Sequence, residues 1–212
     1  MAIKNIIPDH DSHSYQYTPA DPWGDNDVFY VRKDVTTSKS TKVFIKWSPS
    51  LISSSLPRNA KINSATLYIY VSTAASGFAA LWTKLCDADW DESTLTWNNM
   101  PSISGGEIGS TMNLTTTGWK SNIITTIFNN WFTGAANNYG IMFWTDEAES
   151  GSAGAGYVNT SENVSYQPYV LVNYTVPGGF FIFLSEAWQR HKKLWTPKGL
   201  ILPKEGYSYL EV

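Results

Sequence analysis

From about Val28 to Val176 the chain is a succession of short alternating or β-branched runs, each closed by Gly, Pro, Asn or Ser. In ATLYIYVS, over 65–72, Leu67, Ile69 and Val71 fall on one face and Tyr68 and Tyr70 on the other. A period of two is that of a strand with two different faces. Runs of the same kind are DVFYVRK at 27–33, KVFIKW at 42–47, AALWTKLC at 79–86, YGIMFWT at 139–145, AGYVNT at 155–160 and YVLVNYTV at 169–176. One segment has helical spacing instead. In SNIITTIFNNW, over 121–131, Ile123, Ile124, Ile127, Phe128 and Trp131 share a face, Ser121 or Asn122 is placed to cap the start, and Gly134 follows the end. Strands with turn residues between them and one packed helix predict an all-β fold, a β-sandwich of jelly-roll type.

Two flanks differ from this body. Residues 1–26 carry Pro8, Pro19, Pro22 and Gly24 and read as a lead-in packed on the sandwich, with one strand near Ser14 to Tyr17. Pro177-Gly178-Gly179 then separates the domain at 27–176 from a C-terminal arm at 177–212. The last 35 residues hold five basic and three acidic side chains, a net +2 against −5 for the rest of a chain whose total is −3. Ser185 is placed to cap a short helix reaching Leu194, and Pro197 and Pro203 force an extended path beyond it. Phe180, Phe181, Phe183, Trp188, Leu194, Trp195, Leu200, Ile201, Leu202, Tyr207 and Tyr209 make the arm too apolar for a solvated linker, so it is expected to pack either on the chain's own sandwich or on another subunit, the preferred reading being a partner-binding arm that joins subunits.

Composition excludes several classes. Charged residues are 16% of the chain, below the roughly 25% usual for soluble domains, while Ser 23, Thr 20 and Asn 15 supply neutral polarity. A pI near 5.6 and three arginines, Arg32, Arg58 and Arg190, give no cationic surplus for a nucleic-acid backbone. No apolar run approaches the ~20 residues that cross a bilayer as a helix. Cys86 is the single cysteine, so neither an internal disulfide nor a cysteine-based zinc site is available. The N-terminal MAIKNIIPDHDSHSY has no apolar run of export-signal length.

The stretch Trp90-Asp91-Glu92-Ser93-Thr94-Leu95-Thr96-Trp97-Asn98-Asn99-Met100-Pro101 resembles the W-x-E-x-T-x-T-W-N-N-x-P hallmark of the DNRLRE-domain family, which is related to the disaggregatase-type repeat and to a group of carbohydrate-binding modules. KVFIKW, SSSLPRNAKINSATLYIY, NNYGIMFWTDE and YVNTSENVSYQPYVLVNYT resemble further blocks of that family in its order. The resemblance covers about residues 27–175 and implies a β-jelly roll of the kind found in secreted and cell-surface proteins. Two positions depart from it: Lys46 and Gln167 stand where the family usually carries Arg.

Candidate residues fall into three groups. Trp90, Glu92, Thr96, Trp97 and Asn98 belong to the hallmark; they are read chiefly as holding the fold, with sugar stacking by the two tryptophans as the alternative. Tyr15, Tyr17, Trp23, Tyr30 and Trp119 are the candidates for glycan contact, since aromatic faces stack on sugars and aromatics also dominate protein interfaces. Asp87, Asp89 and Asp91 alternate like the start of an EF-hand, but Glu92 stands where Gly is needed and Asn98 where Glu is needed. The chain is therefore read as needing no cofactor, with these aspartates, or Asp21, Asp25 and Asp27, the calcium candidates. His10, His13 and His191 lie outside the expected sandwich, no GxSxG or HExxH motif occurs, and the protein is expected not to be an enzyme. The leading expectation is a virion component of a phage or virus, either a capsid decoration protein or a tail or fibre accessory, with the arm binding other subunits of a homo-oligomer. The alternatives are a secreted or cell-surface carbohydrate-binding module, with polysaccharide as its partner, and a subunit of an extracellular filament or sheath.

Overall fold

A computed structural model of the chain describes residues 1–24, 26–33, 39–76, 80–104, 106–145 and 154–177. The arm residues 180–209 singled out above lie outside this set. In chain order the elements are β1 (Ala2–Ile6), β2 (His10–Tyr15), β3 (Val28–Lys33), β4 (Thr41–Lys46), α1 (Pro49–Ser55), β5 (Lys61–Thr73), β6 (Ala80–Cys86), β7 (Ile103–Ser104), β8 (Met112–Asn113), β9 (Gly118–Ile123), α2 (Thr125–Thr133), β10 (Ile141–Trp144), β11 (Gly154–Asn159) and β12 (Tyr169–Thr175). The strands form two antiparallel sheets. One runs β1-β12-β5-β11-β3 with β9 also on β5; the other runs β2-β4-β10-β6-β7 with β8 also on β6. The protein is a β-sandwich.

The long strand β5 organises the first sheet. Its inward residues Ala65, Leu67, Ile69 and Val71 are buried, as the alternation in ATLYIYVS requires. One edge pairs with β9, Tyr70 opposite Trp119. The other edge takes β12, Tyr68 opposite Tyr169, and then β11, Val71 opposite Val158. Residues 160–168 are thus a loop inserted between two strands that follow one another along the same edge. Between the sheets Phe29, Val43, Ile45, Trp47, Leu67, Leu81, Phe143 and Val170 form the main core.

In the second sheet β4 is buried along its whole length. Val43 and Ile45 face the core, whereas Phe44 points outward into a second cluster with Cys86, Trp90, Leu95 and Met142. The hallmark segment at 90–101 covers this outer face, which is why an amphipathic pattern gives way here to continuous burial.

Several sequence expectations change. The expected lead-in holds two strands, β1 and β2, one in each sheet. Its polar HDSHSY run conceals this, because Asp11, Ser12, His13 and Ser14 are buried without being apolar. His10 and His13 are therefore part of the sandwich. The helix starts three residues later than a Ser121 cap suggests, at Thr125, with no side-chain cap, because 118–123 is strand β9. It ends as expected at Gly134, whose φ of +72 is the left-handed cap. Helix α1, capped by Ser48 accepting from the Leu51 amide at 3.2 Å, has no counterpart in the sequence reading.

Candidate functional site

Strand pairing places a group of aromatics on the outer face of the first sheet. Tyr68 and Tyr70 alternate with the buried Leu67 and Ile69 on β5, and their cross-strand partners are Tyr169 of β12 and Trp119 of β9. The 160–168 loop adds Tyr166, whose amide donates to Asn163 Oδ1 at 3.1 Å. Tyr68 and Tyr169 stack with centroids 5.0 Å apart at 15°, and Tyr70 and Tyr166 stack at 4.2 Å and 12°. Trp119 stands edge-on to both pairs, 5.3 Å from Tyr70 and from Tyr169 at interplanar angles of 77° and 71°. Mutual packing of this kind fixes the rings before any ligand arrives. Trp119 is nevertheless 42% exposed and Tyr166 45%. Burial, and secondarily the charge of Tyr68, pushes the Tyr169 hydroxyl above its usual range, so it is a neutral donor at pH 7.

A second aromatic row lies at the β3–β11 end. Tyr30 packs 5.2 Å from Tyr157 and 6.4 Å from Tyr15, which packs 6.0 Å from Tyr17. Arg32 lies 6.0 Å from the Tyr30 ring and Lys39 Nζ 4.8 Å from that of Tyr17. Of the five residues nominated for glycan contact, Tyr15, Tyr17 and Tyr30 come together in this row. Trp119 is the hub of the first group and sits in strand β9. Trp23 joins neither: its ring packs 5.4 Å from His13, which burial pushes down to a pKa of about 4. Tyr68, Tyr70, Tyr166 and Tyr169 were not singled out. The signal for the first two is the alternation itself, which assigns aromatic residues to the solvent face of a strand.

The hallmark residues build the cover over the second sheet. Trp90 is buried against Phe44, 5.8 Å between rings, and its Nε1 donates to the Tyr139 carbonyl at 2.8 Å. Lys46 Nζ donates to the Trp90 carbonyl at 2.6 Å and to Asp89 Oδ1 at 2.8 Å, and that hydrogen bond holds the Asp89 carboxyl below its usual range. Trp97 is half-buried with Lys42 Nζ 5.8 Å from its ring. The Thr96 amide and hydroxyl donate to Asn99 Oδ1, and Asn99 Nδ2 donates to the Thr94 carbonyl at 2.8 Å. Asn98 contributes its backbone amide, to the Pro19 carbonyl at 3.1 Å. Burial pushes the Cys86 thiol up to about 12, which removes it as a nucleophile.

Of the alternating aspartates named for calcium, Asp87 is exposed and the other two have partners of their own. Asp89 is held by Lys46, and Asp91 accepts from Ser93 and Thr94 within its own turn. Among the described residues, the carboxylates that converge are Asp11, Glu92 and Glu162. Asp11 is fully buried, and burial together with Glu162 pushes its carboxyl up to about 8. Glu92 is also raised, first by burial and then by Glu162, while His10 Nδ1 lies 3.4 Å from its Oε2.

The sequence profile of carbohydrate-binding module family 96 matches residues 2–174. The chain belongs to carbohydrate-binding module family 96. The family-96 match takes in both sheets and begins in β1, well before the hallmark blocks at 27–175. Curated relatives include the tRNA3(Ser)-specific nuclease WapA of Bacillus spizizenii, 30% identical over 127 residues, and the tRNA nuclease WapA of Bacillus subtilis strain 168, 30% identical over 124. Each match covers 58% of this chain but 5% of the nuclease. The shared part is a segment on the scale of one family-96 sandwich within much larger proteins.

Proposed function

We propose that this chain is a non-catalytic polysaccharide-binding module acting outside the cell or at a cell surface, and that the outer face of the first sheet is its binding surface. The observation that carries this is the outer-face group of half-buried Tyr68, Tyr70 and Tyr169 around the exposed Trp119 and Tyr166, pre-packed on three adjacent strands and one loop. Sugar rings offer apolar C–H faces that stack on aromatic rings, and tyrosine hydroxyls at the rim supply hydrogen bonds without charge. An open sheet face suits a chain polymer better than a small free sugar, because successive residues of the polymer can lie along it. The Tyr15, Tyr17, Tyr30 and Tyr157 row extends the aromatic surface toward β3.

This is the carbohydrate-binding alternative of the sequence reading. It displaces the virion role because family membership and the aromatic face both support it, whereas the virion role rests on the arm, outside the described residues. Affinity electrophoresis against a panel of soluble neutral and acidic polysaccharides tests it. Retardation by at least one polymer is expected, weakened about tenfold or more by Trp119→Ala, a loss typical of an interface hot spot. Retardation unchanged by both Trp119→Ala and Tyr166→Ala would place binding elsewhere.

A further inference from the structure

Asp11, Glu92 and Glu162 come from three separate parts of the chain: strand β2, the hallmark segment and the 160–168 loop. One carboxylate oxygen from each lies within 4.8 Å of the other two. Oxygens around a calcium ion sit about 2.3–2.6 Å from it, so they are separated from one another by no more than about twice that. The trio meets this condition.

The second observation is at Asp11. Its side chain is fully buried on the inward face of β2, opposite Ile45. Oδ2 accepts the Ser161 amide at 2.6 Å, but Oδ1 is buried with no hydrogen-bond partner. A buried carboxylate oxygen with nothing to accept from, beside two further carboxylates, is costly. His10 approaches Glu92, not Asp11. An inward acidic side chain on an edge strand such as β2 also discourages edge pairing. That purpose, however, needs neither Glu92 nor Glu162 to converge on it.

The surroundings hold the three groups where they are. Gly24 packs so closely on Glu92 that a Cβ there would lie 2.8 Å from Glu92 Cγ and 2.9 Å from its carbonyl oxygen. Gln167 Nε2 donates to the Ser161 carbonyl, fixing the turn that presents both the Ser161 amide and Glu162. Glu92 is half-buried and Glu162 exposed, which leaves a way in from solvent.

We propose that Asp11, Glu92 and Glu162 bind a calcium ion that joins β2, the hallmark segment and the 160–168 loop. Three carboxylates favour calcium over magnesium, which keeps most of its water and takes one or two carboxylates. Water and backbone oxygens complete the coordination.

The test is calcium titration of chelator-treated full-length protein by calorimetry, with thermal melts in EDTA and in calcium. It uses no polysaccharide, so its outcome is independent of the glycan reading. One calcium per chain is expected. At about a hundredfold excess over Kd the ion raises the melting temperature by about 5–10 °C. Glu162→Gln, on an exposed loop, is expected to lose about tenfold or more in calcium affinity while melting in EDTA no lower than the parent, since it removes a like charge. Parent protein that gives no binding heat and the same melt in calcium and EDTA would overturn the assignment, as would Glu162→Gln binding calcium as tightly as the parent.

Discussion

Single side chains carry more of this fold than their sequence context announces. Asn122 falls within the helical spacing of 121–131 and reads there as a cap. It is instead a buried strand residue whose Nδ2 donates to Thr83 Oγ1 at 3.0 Å and to the Ile108 carbonyl at 2.7 Å, and whose Oδ1 accepts the Ser110 amide at 3.1 Å. Local pattern cannot distinguish the two, because the groups that satisfy Asn122 lie 12 to 39 residues away. Asn122→Ala leaves three polar groups without their partner and is expected to destabilise by about 2–3 kcal/mol. A melt lower by about 5–10 °C would agree, and a shift of a degree or less would not. Lys46 shows the reverse case. Its place in KVFIKW and its departure from the family arginine are visible in sequence, and one lysine still reaches both the Trp90 carbonyl and Asp89.

At the scale of elements, legibility follows apolar alternation. The seven runs read from sequence correspond to β3, β4, β5, β6, β10, β11 and β12. The two lead-in strands, of which only the Ser14–Tyr15 end of β2 is foreseen, lack the signal for physical reasons. Edge strand β1 exposes four of its five residues, and β2 is buried but polar. Register, which decides what faces what, is not local either. Only the pairing of β5 with β9 and β12 makes one surface of Tyr68, Tyr70, Trp119 and Tyr169. The 160–168 loop links the two sites described above, since it carries Glu162 at one turn and Tyr166 at the next. Removing calcium should therefore loosen Tyr166. Polysaccharide affinity measured in EDTA is expected to fall severalfold and to be restored by added calcium, and equal affinity in both buffers would show that the loop holds Tyr166 without the ion.

Over the whole molecule, the low charge and high aromatic content of the sequence resolve into a division of labour. Trp47, Phe44, Phe29 and Phe143 fill the interior, Trp90 and Trp97 attach a covering segment, and Trp119 with four tyrosines remains at the surface. The sequence alone points to a sandwich and to a carbohydrate-binding alternative. It does not say which face is used, because that depends on which strands lie side by side. The most direct measurement of that face is a fluorine spectrum of protein labelled with fluorotryptophan, with the Trp119 signal assigned from Trp119→Phe, during titration with the polysaccharide that binds best. The account predicts that the Trp119 resonance shifts progressively and saturates while those of the buried Trp47 and Trp90 stay in place. Saturable shifts at Trp23 or Trp97 with Trp119 unmoved would contradict it.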